Sequence, residues 1–429
     1  MKLKKWKAIG LTAFLTLALA ACNTEEEAEK ETTASKDKTE QVNKNEDHDA
    51  DANEHSHEDG HDEVSVGARY IVSSESAVHV LNEKFEEVQK FDIGSGAFTV
   101  SDAGRYVFVR DAANKDSYTL LDSGLYLEDH GDHLHPYEEA PVLAKSEVTA
   151  AKPAHMISHA GRTAIFNDGS GQVDVYVNDE LSTEGLKTKS VYEGAAHHGA
   201  AVPLSTGELA VTYVAQEGDS LPIGVKIVDE KGQETALVTD SCEGLHGTAY
   251  IGEGPTEKLA FGCIGKAVVY DVATKKATDV ALPDEGARVG TVKIGKDSKY
   301  FVTNYSIEGE EQNKIGVIDA ETGELRLVEL PAAYKSALLA APNNNAYIMA
   351  ADGNVYHVNL ETAKIETTIA ALNPFNLEEE APALFMANEK VFVMMPSFQK
   401  IYEVHGNHVH EVAKLNFVPT AIATVELQQ

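Results

Sequence analysis

Basic residues are scarce in this chain. Lys and Arg together number 36 against 69 Asp and Glu, which leaves a formal net charge of −33 over 429 residues. No basic stripe exists anywhere, and this argues against nucleic acid as a partner. A sustained 3.6-residue apolar period is also missing, so a helical architecture is excluded. The common catalytic signatures are missing too: Gly-x-Ser-x-Gly, a glycine-rich phosphate loop, and paired carboxylates in a defined environment. The sequence does not read as that of an enzyme. An acidic surface of this kind attracts cations, although it selects only weakly among them.

The one long apolar run stands at the start. Lys2, Lys4, Lys5 and Lys7 precede Ile9 to Ala20, a stretch short for a membrane span. It ends Leu19-Ala20-Ala21-Cys22, which resembles a bacterial lipobox. That resemblance implies a signal peptide over residues 1–21, lipid attachment at Cys22, and an extracytoplasmic, lipid-anchored protein on the cell membrane. An uncleaved anchor is the alternative, with the same outcome for location. Residues 22–65 then have almost no apolar side chains and cannot bury enough surface to fold. Their first part reads as a spacer. Their second part interleaves His48, His55, His57 and His61 with carboxylates, and so offers a flexible arm of weak metal ligands.

From residue 66 to 429 the pattern changes to short runs of β-branched and aromatic residues between Gly, Asn, Asp and Ser turns, as in Tyr106-Val-Phe-Val and Ala267-Val-Val-Tyr. The class is all-β. Sets of strands recur about every 40 residues, with Ala-Thr-Lys-Lys, Glu-Thr-Gly-Glu and Glu-Thr-Ala-Lys filling the same turn, the pattern of a single β-propeller. Seven sets begin near Ala97, His155, His198, His246, Val289, Ser336 and Ala383. Three opening strands and a last strand near residues 419–425 would complete an eighth blade closed by both termini; seven blades is the alternative.

Within this frame a histidine occupies the same place in three consecutive units: His155, His198 and His246. If the units surround an axis, the three imidazoles converge at one mouth. Neutral imidazoles in that number suit Zn²⁺. The other reading is three polar residues on a solvated rim. A loop one unit earlier, Glu128 to Pro136, contributes His130, His133 and His135, with Glu128, Asp129 and Asp132 as further ligands or partners of a ring; this loop caps the same mouth, holds a second ion, or is simply solvated. His159 and His197 neighbour the main candidates, and His197 replaces His198 if the register slips by one. His405, His408 and His410 read as a hairpin turn, with a metal role as the lesser alternative. His79 and His357 read as ordinary strand residues. With Cys22 set aside, Cys242 and Cys263 remain, a disulfide candidate in an oxidising compartment that would pin the loop bearing His246, or else two buried thiols.

Three segments together resemble the AztD-type periplasmic zinc metallochaperones: Glu128-Asp-His-Gly-Asp-His-Leu-His-Pro136, Ala196-His-His-Gly-Ala-Ala-Val-Pro-Leu204, and Cys242-Glu-Gly-Leu-His-Gly247 with Phe261-Gly-Cys263. With the His/Asp-rich arm the likeness spans most of residues 45–429. It implies a propeller that stores zinc and delivers it to the substrate-binding protein of a zinc ABC importer. The lipobox and the long acidic spacer depart from that family and imply a membrane-tethered version. A metal-dependent propeller hydrolase or lactonase and a surface-anchored binding module are the competing readings.

Overall fold

The computed structural model describes residues 67–427, apart from 95, 112–115 and 132–133. The lipobox Cys22, the arm histidines His48, His55, His57 and His61, and His133 lie outside the described residues. The chain within these bounds is all-β, with two single-turn 3₁₀ segments as the exceptions.

Most strands fall into sets of four in which each strand pairs with the next in sequence; in two sets a position is split, with Val142–Leu143 and Val148–Thr149 both pairing with Ser117–Asp122, and Ala287–Arg288 and Val292–Lys293 both pairing with Tyr300–Ile307. The pattern is plain in Pro153–His159, Arg162–Asn167, Gln172–Val177 and Ser190–Glu193, and again in Thr248–Ile251, Lys258–Gly262, Lys266–Asp271 and Lys276–Ala281. Two sets, one opening at Leu338–Ala341 and one at Ala383–Ala387, join into an eight-stranded sheet through a single parallel pairing of Ala370 with His408. The first set takes its innermost strand from the far end of the chain: Arg69–Ser73 pairs antiparallel with Ala421–Val425, in the register Arg69↔Val425 to Ser73↔Ala421. This pairing gives Arg69–Ser73 a partner on both sides, Val78–Leu81 on one and Ala421–Val425 on the other, and Ala421–Val425 forms an edge of the sheet.

The residues explain the layering. Middle strands such as Lys258–Gly262 are buried throughout, because both faces meet apolar neighbours. Outer strands such as Glu87–Phe91 and Lys364–Ala370 are mostly exposed and carry the charged residues. The apolar clusters lie between consecutive sets. Phe108 and Leu120 of one set meet Ile165 and Tyr176 of the next, Val225 and Ile227 meet Leu259 and Phe261, and Val302 and Ile315 meet Ile348 and Tyr356. The last set packs back on the first, where Phe385, Phe392 and Met394 meet Tyr70 and Val72.

The innermost strands finish at one end of the molecule. Ser101, Ser158, Tyr250, Asp297, Asn388 and Thr424, from six different sets, line one cavity of about 730 Å³ there. Gly67 and the hairpin Leu125–Asp129 with Leu134–Glu138 stand at this same end, with Gly67, Leu125 and Glu138 lining a common cleft. His155, His198 and His246 precede or open their strands, and so stand at the opposite, starting end.

Candidate metal centre

His155 lies near the start of Pro153–His159, while His198 and His246 lie in the turns before Ala201–Pro203 and Thr248–Ile251. Three separate sets therefore each deliver one imidazole. Ring centroids are 4.7 Å apart for His155 and His198, 5.4 Å for His198 and His246, and 5.7 Å for His155 and His246. One nitrogen from each ring lies within 4.8 Å of the other two, and among the described residues this is the one such group of three or more metal-ligating side chains. A tetrahedral ion with Zn–N of 2.0–2.1 Å needs donor atoms about 3.3 Å apart, so a small rotation of each ring closes the set. Ile157, Ala200, Leu245 and Thr248 wall a cavity of about 120 Å³ beside the rings.

Each ring is held by its other nitrogen. His155 Nδ1 lies 2.8 Å from the Gly199 carbonyl, and His246 Nδ1 lies 2.6 Å from the Gly290 carbonyl. A carbonyl only accepts, so both Nδ1 atoms carry the proton and both Nε2 atoms keep a free lone pair. The two contacts are the same contact one repeat apart, each reaching 44 residues along the chain to the glycine of the next unit. His198 differs. Its Nδ1 donates to Asp168 Oδ2 at 2.6 Å, and the Gly199 amide approaches the same carboxylate at 3.3 Å. A carboxylate behind a ligating imidazole fixes the ring and raises its basicity. Burial, reinforced by His198 and His246, pushes the His155 imidazole down to about 4. That keeps it neutral, the form that binds a metal.

The two glycines after the histidines serve different ends. Gly247 has φ +88°, the left-handed region that favours glycine. Gly199 has no such φ; a Cβ there would stand 2.5 Å from the Phe166 ring and 2.6 Å from His197 Nε2. Its need is space rather than a turn.

Cys242 and Cys263 are bonded, with Cα atoms 5.1 Å apart. The bond ties the turn before His246 to the strand end beside it. There the His246 amide donates to the Gly262 carbonyl at 3.0 Å, and the Gly262 amide donates to the Gly247 carbonyl at 3.1 Å.

The hairpin residues are elsewhere. His130 and His135 stand 5.7 Å apart by ring centroids, with Glu128 Oε2 3.9 Å from His130 Nε2. The hairpin is inserted after Ser117–Asp122, which ends where its innermost strand finishes, so it leaves from the end opposite the triad. The idea that it caps the triad's mouth is thereby corrected: an insertion after a third strand emerges at the other end of its sheet from the residues that open a first strand. His197 is buried and engaged at both nitrogens, by the Ala195 carbonyl at 2.8 Å and Thr212 Oγ1 at 2.9 Å, so it does not replace His198. His159 is buried against Glu257 Oε1 at 2.8 Å and stacks on Tyr250. His79 and His357 sit in strands, stacked on Phe417 and Tyr347. Glu243 is exposed in the turn before His246.

Asp168 escaped the sequence reading, because an Asn-Asp-Gly-Ser turn has many ordinary uses. The accepting carbonyls of Gly199 and Gly290 have a faint signal, the His-Gly spacing carried on into Val289-Gly290.

No family model matches the chain. A curated relative, the zinc chaperone AztD of Citrobacter koseri, is 26% identical over 338 residues, which cover 75% of this chain and 76% of the relative. The crystal structure of Citrobacter koseri AztD superposes with a TM-score of 0.72 at 23% identity, covering 84% of this chain and 98% of that one. Its apo structure gives 0.70 at 22%, with the same shares covered. Dihydro-heme d1 dehydrogenase NirN matches at a TM-score of 0.53 and 13% identity over 83% of this chain and 74% of that one, a likeness of fold alone. The resemblance read from the sequence is matched by a curated relative and by two crystal structures of the same kind: this chain is similar to the zinc chaperone AztD in sequence and in fold.

Proposed function

We propose that this protein is an extracytoplasmic, membrane-anchored zinc metallochaperone that stores Zn²⁺ and hands it to the substrate-binding protein of a zinc ABC importer. The observation that carries this is the triad: three imidazoles from three sets, each with Nδ1 engaged and Nε2 available. Three histidines leave the fourth tetrahedral position of zinc open. An incoming ligand from a receiver can enter there before the histidines let go, which suits transfer without release into solvent. The relative's name, a zinc chaperone, favours transport over turnover.

The architecture in this reading is an eight-bladed propeller. Supporting it are apolar cores between each set and the next, the packing of the last set on the first, and the shared cavity at the finishing ends. Cys22 and the spacer tether the domain to the membrane. The arm histidines, His48, His55, His57 and His61, shuttle the ion.

Metal analysis of the purified mature protein by mass spectrometry should find one tightly held zinc per chain that disappears when His155, His198 and His246 are all changed to Ala. Full retention of that zinc by the triple variant would overturn the site. Deleting residues 45–63 should leave tight binding unchanged and slow stopped-flow transfer to an apo importer-binding protein. Equal transfer rates would reduce the arm to a tether.

A further inference from the structure

The strands Lys400–His405 and His408–Lys414 form a hairpin closed by the two residues Gly406 and Asn407. Gly406 takes φ +59°, which suits glycine in so tight a turn. The register pairs His405 with His408, Val404 with Val409, and Glu403 with His410. Side chains alternate across a strand, so the two faces of this hairpin tip have opposite character. Val404 and Val409 pack with Tyr402 against the cluster shared with the preceding set. Glu403, His405, His408 and His410 share the other face, and the three histidines are exposed.

The dimensions suit a shared ion. Two imidazoles on one tetrahedral zinc stand about 5 Å apart by ring centroids, given Zn–N of 2.0–2.1 Å. His405 stands 5.8 Å from His408 and 6.3 Å from His410. Exposed rings close that gap by rotation, without repacking. The backbone beneath them is fixed: His408 pairs with Ala370 of the neighbouring set. Glu403 is buried, accepts from Lys390 Nζ at 3.2 Å, and has Oε2 3.9 Å from His410 Nε2. Lys390 is the nearby cation and is already matched by this carboxylate. Exposure sets the strength. An ion here keeps much of its water shell, and the contacts on the rings are longer than those that orient the triad: His408 Nδ1 lies 3.4 Å from Asn407 Oδ1, and His410 Nε2 lies 3.9 Å from Glu403 Oε2.

We propose that His405, His408 and His410 form a second site for a borderline divalent transition-metal ion, Zn²⁺ or Cu²⁺, with Glu403 steadying His410. It is weaker than the triad and independent of it. Its ligands come from one hairpin, so it needs no convergence of separate sets, and it lies at the finishing ends rather than at the triad's end.

The test is residue-resolved protection of the full chain from diethyl pyrocarbonate, titrated with ZnCl₂ alone and read by peptide mass spectrometry. His405, His408 and His410 should become protected together, at one midpoint, at higher free zinc than the triad requires. His405→Ala should abolish protection at His408 and His410. The same protection should persist in the variant with His155, His198 and His246 all changed to Ala, so failure of the triad and failure of this site are read separately. Thermal unfolding in metal-free buffer should show His405→Ala to be as stable as the parent chain. Unchanged modification rates across the titration would overturn the site, as would protection of His408 and His410 that survives His405→Ala.

Discussion

The triad and the hairpin tip at His405–His410 each gather three histidines, and they do so in opposite ways. In the triad the rings come from positions more than 40 residues apart, are partly buried, and each has an acceptor behind Nδ1. At the tip the rings lie within six residues, are exposed, and are aligned by the pleat of one hairpin. The first arrangement brings the donor atoms within 4.8 Å of one another before any ion arrives, because the contact behind each Nδ1 largely sets the ring orientation on folding. The second leaves that ordering to the ion, which must then offset the lost side-chain freedom. Preorganisation, more than the number of histidines, separates a storage site from a weak one. The hairpin bearing His130 and His135 falls on the exposed side of the same contrast.

The strongest test of this contrast sets the two kinds of site against each other. Changing His155, His198 and His246 to Ala should abolish tight zinc binding in a competition titration with a chromophoric chelator. Changing His130 and His135 to Ala should leave the tight midpoint in place. If the hairpin variant loses as much affinity as the triad variant, the distinction between the two ends collapses.

Asp168 comes next. Asp168→Ala removes the acceptor behind His198 and leaves the three ligands in place. Zinc affinity should fall by about 10- to 100-fold, with the thermal midpoint of the metal-free protein little changed. Affinity equal to the parent chain would show that His198 needs no partner.

A smaller effect is expected at the disulfide. Cys242→Ser with Cys263→Ser frees the turn before His246, and zinc affinity should fall by less than in Asp168→Ala. Loop closure over a separation of 21 residues is worth about 3 kcal/mol in the chain-entropy model, so scanning calorimetry should also record a thermal midpoint lower by a few degrees. Free thiols at both positions in the purified protein, found by non-reducing peptide mapping, would remove the constraint altogether.

The smallest effect concerns protons. Burial holds the His155 imidazole down to about 4, whereas in the unfolded chain it titrates near about 6.5. Between these values the unfolded state binds more protons, so the stability of the metal-free protein falls as pH drops from about 6.5 to about 4. His155→Gln should flatten part of that slope in denaturant titrations, and the buried His197, whose pKa burial also lowers, should retain its own part. A slope unchanged by the substitution would mean that His155 is not desolvated as the triad requires.

Much of this was legible from residues alone. The turn tags spaced about 40 residues apart and the short alternating runs marked the repeated sets, because a strand must alternate to bury one face and a turn must carry residues that tolerate its backbone. The three histidines were legible because they recur at one position of that repeat. Asp168 was not, since its partner lies 30 residues on, beyond two further strands and in the turn that opens the next set. Nor was the end of the molecule from which the Leu125–Glu138 hairpin emerges, since that depends on which strand of its set precedes the insertion. His197 and His198 show the limit at its narrowest: two adjacent histidines, one turned to the triad and one held between Ala195 and Thr212.

By itself the sequence determined the strand class, the repeat, the acidic character and which residue types were on offer as ligands, because these follow from local periodicity and composition. The tertiary structure alone decided which histidines meet, which nitrogen of each ring is left free, and which histidines face opposite ends. Those outcomes depend on contacts between sets far apart in the chain, where a few ångströms of backbone placement choose between a ligand and a buried hydrogen-bond partner.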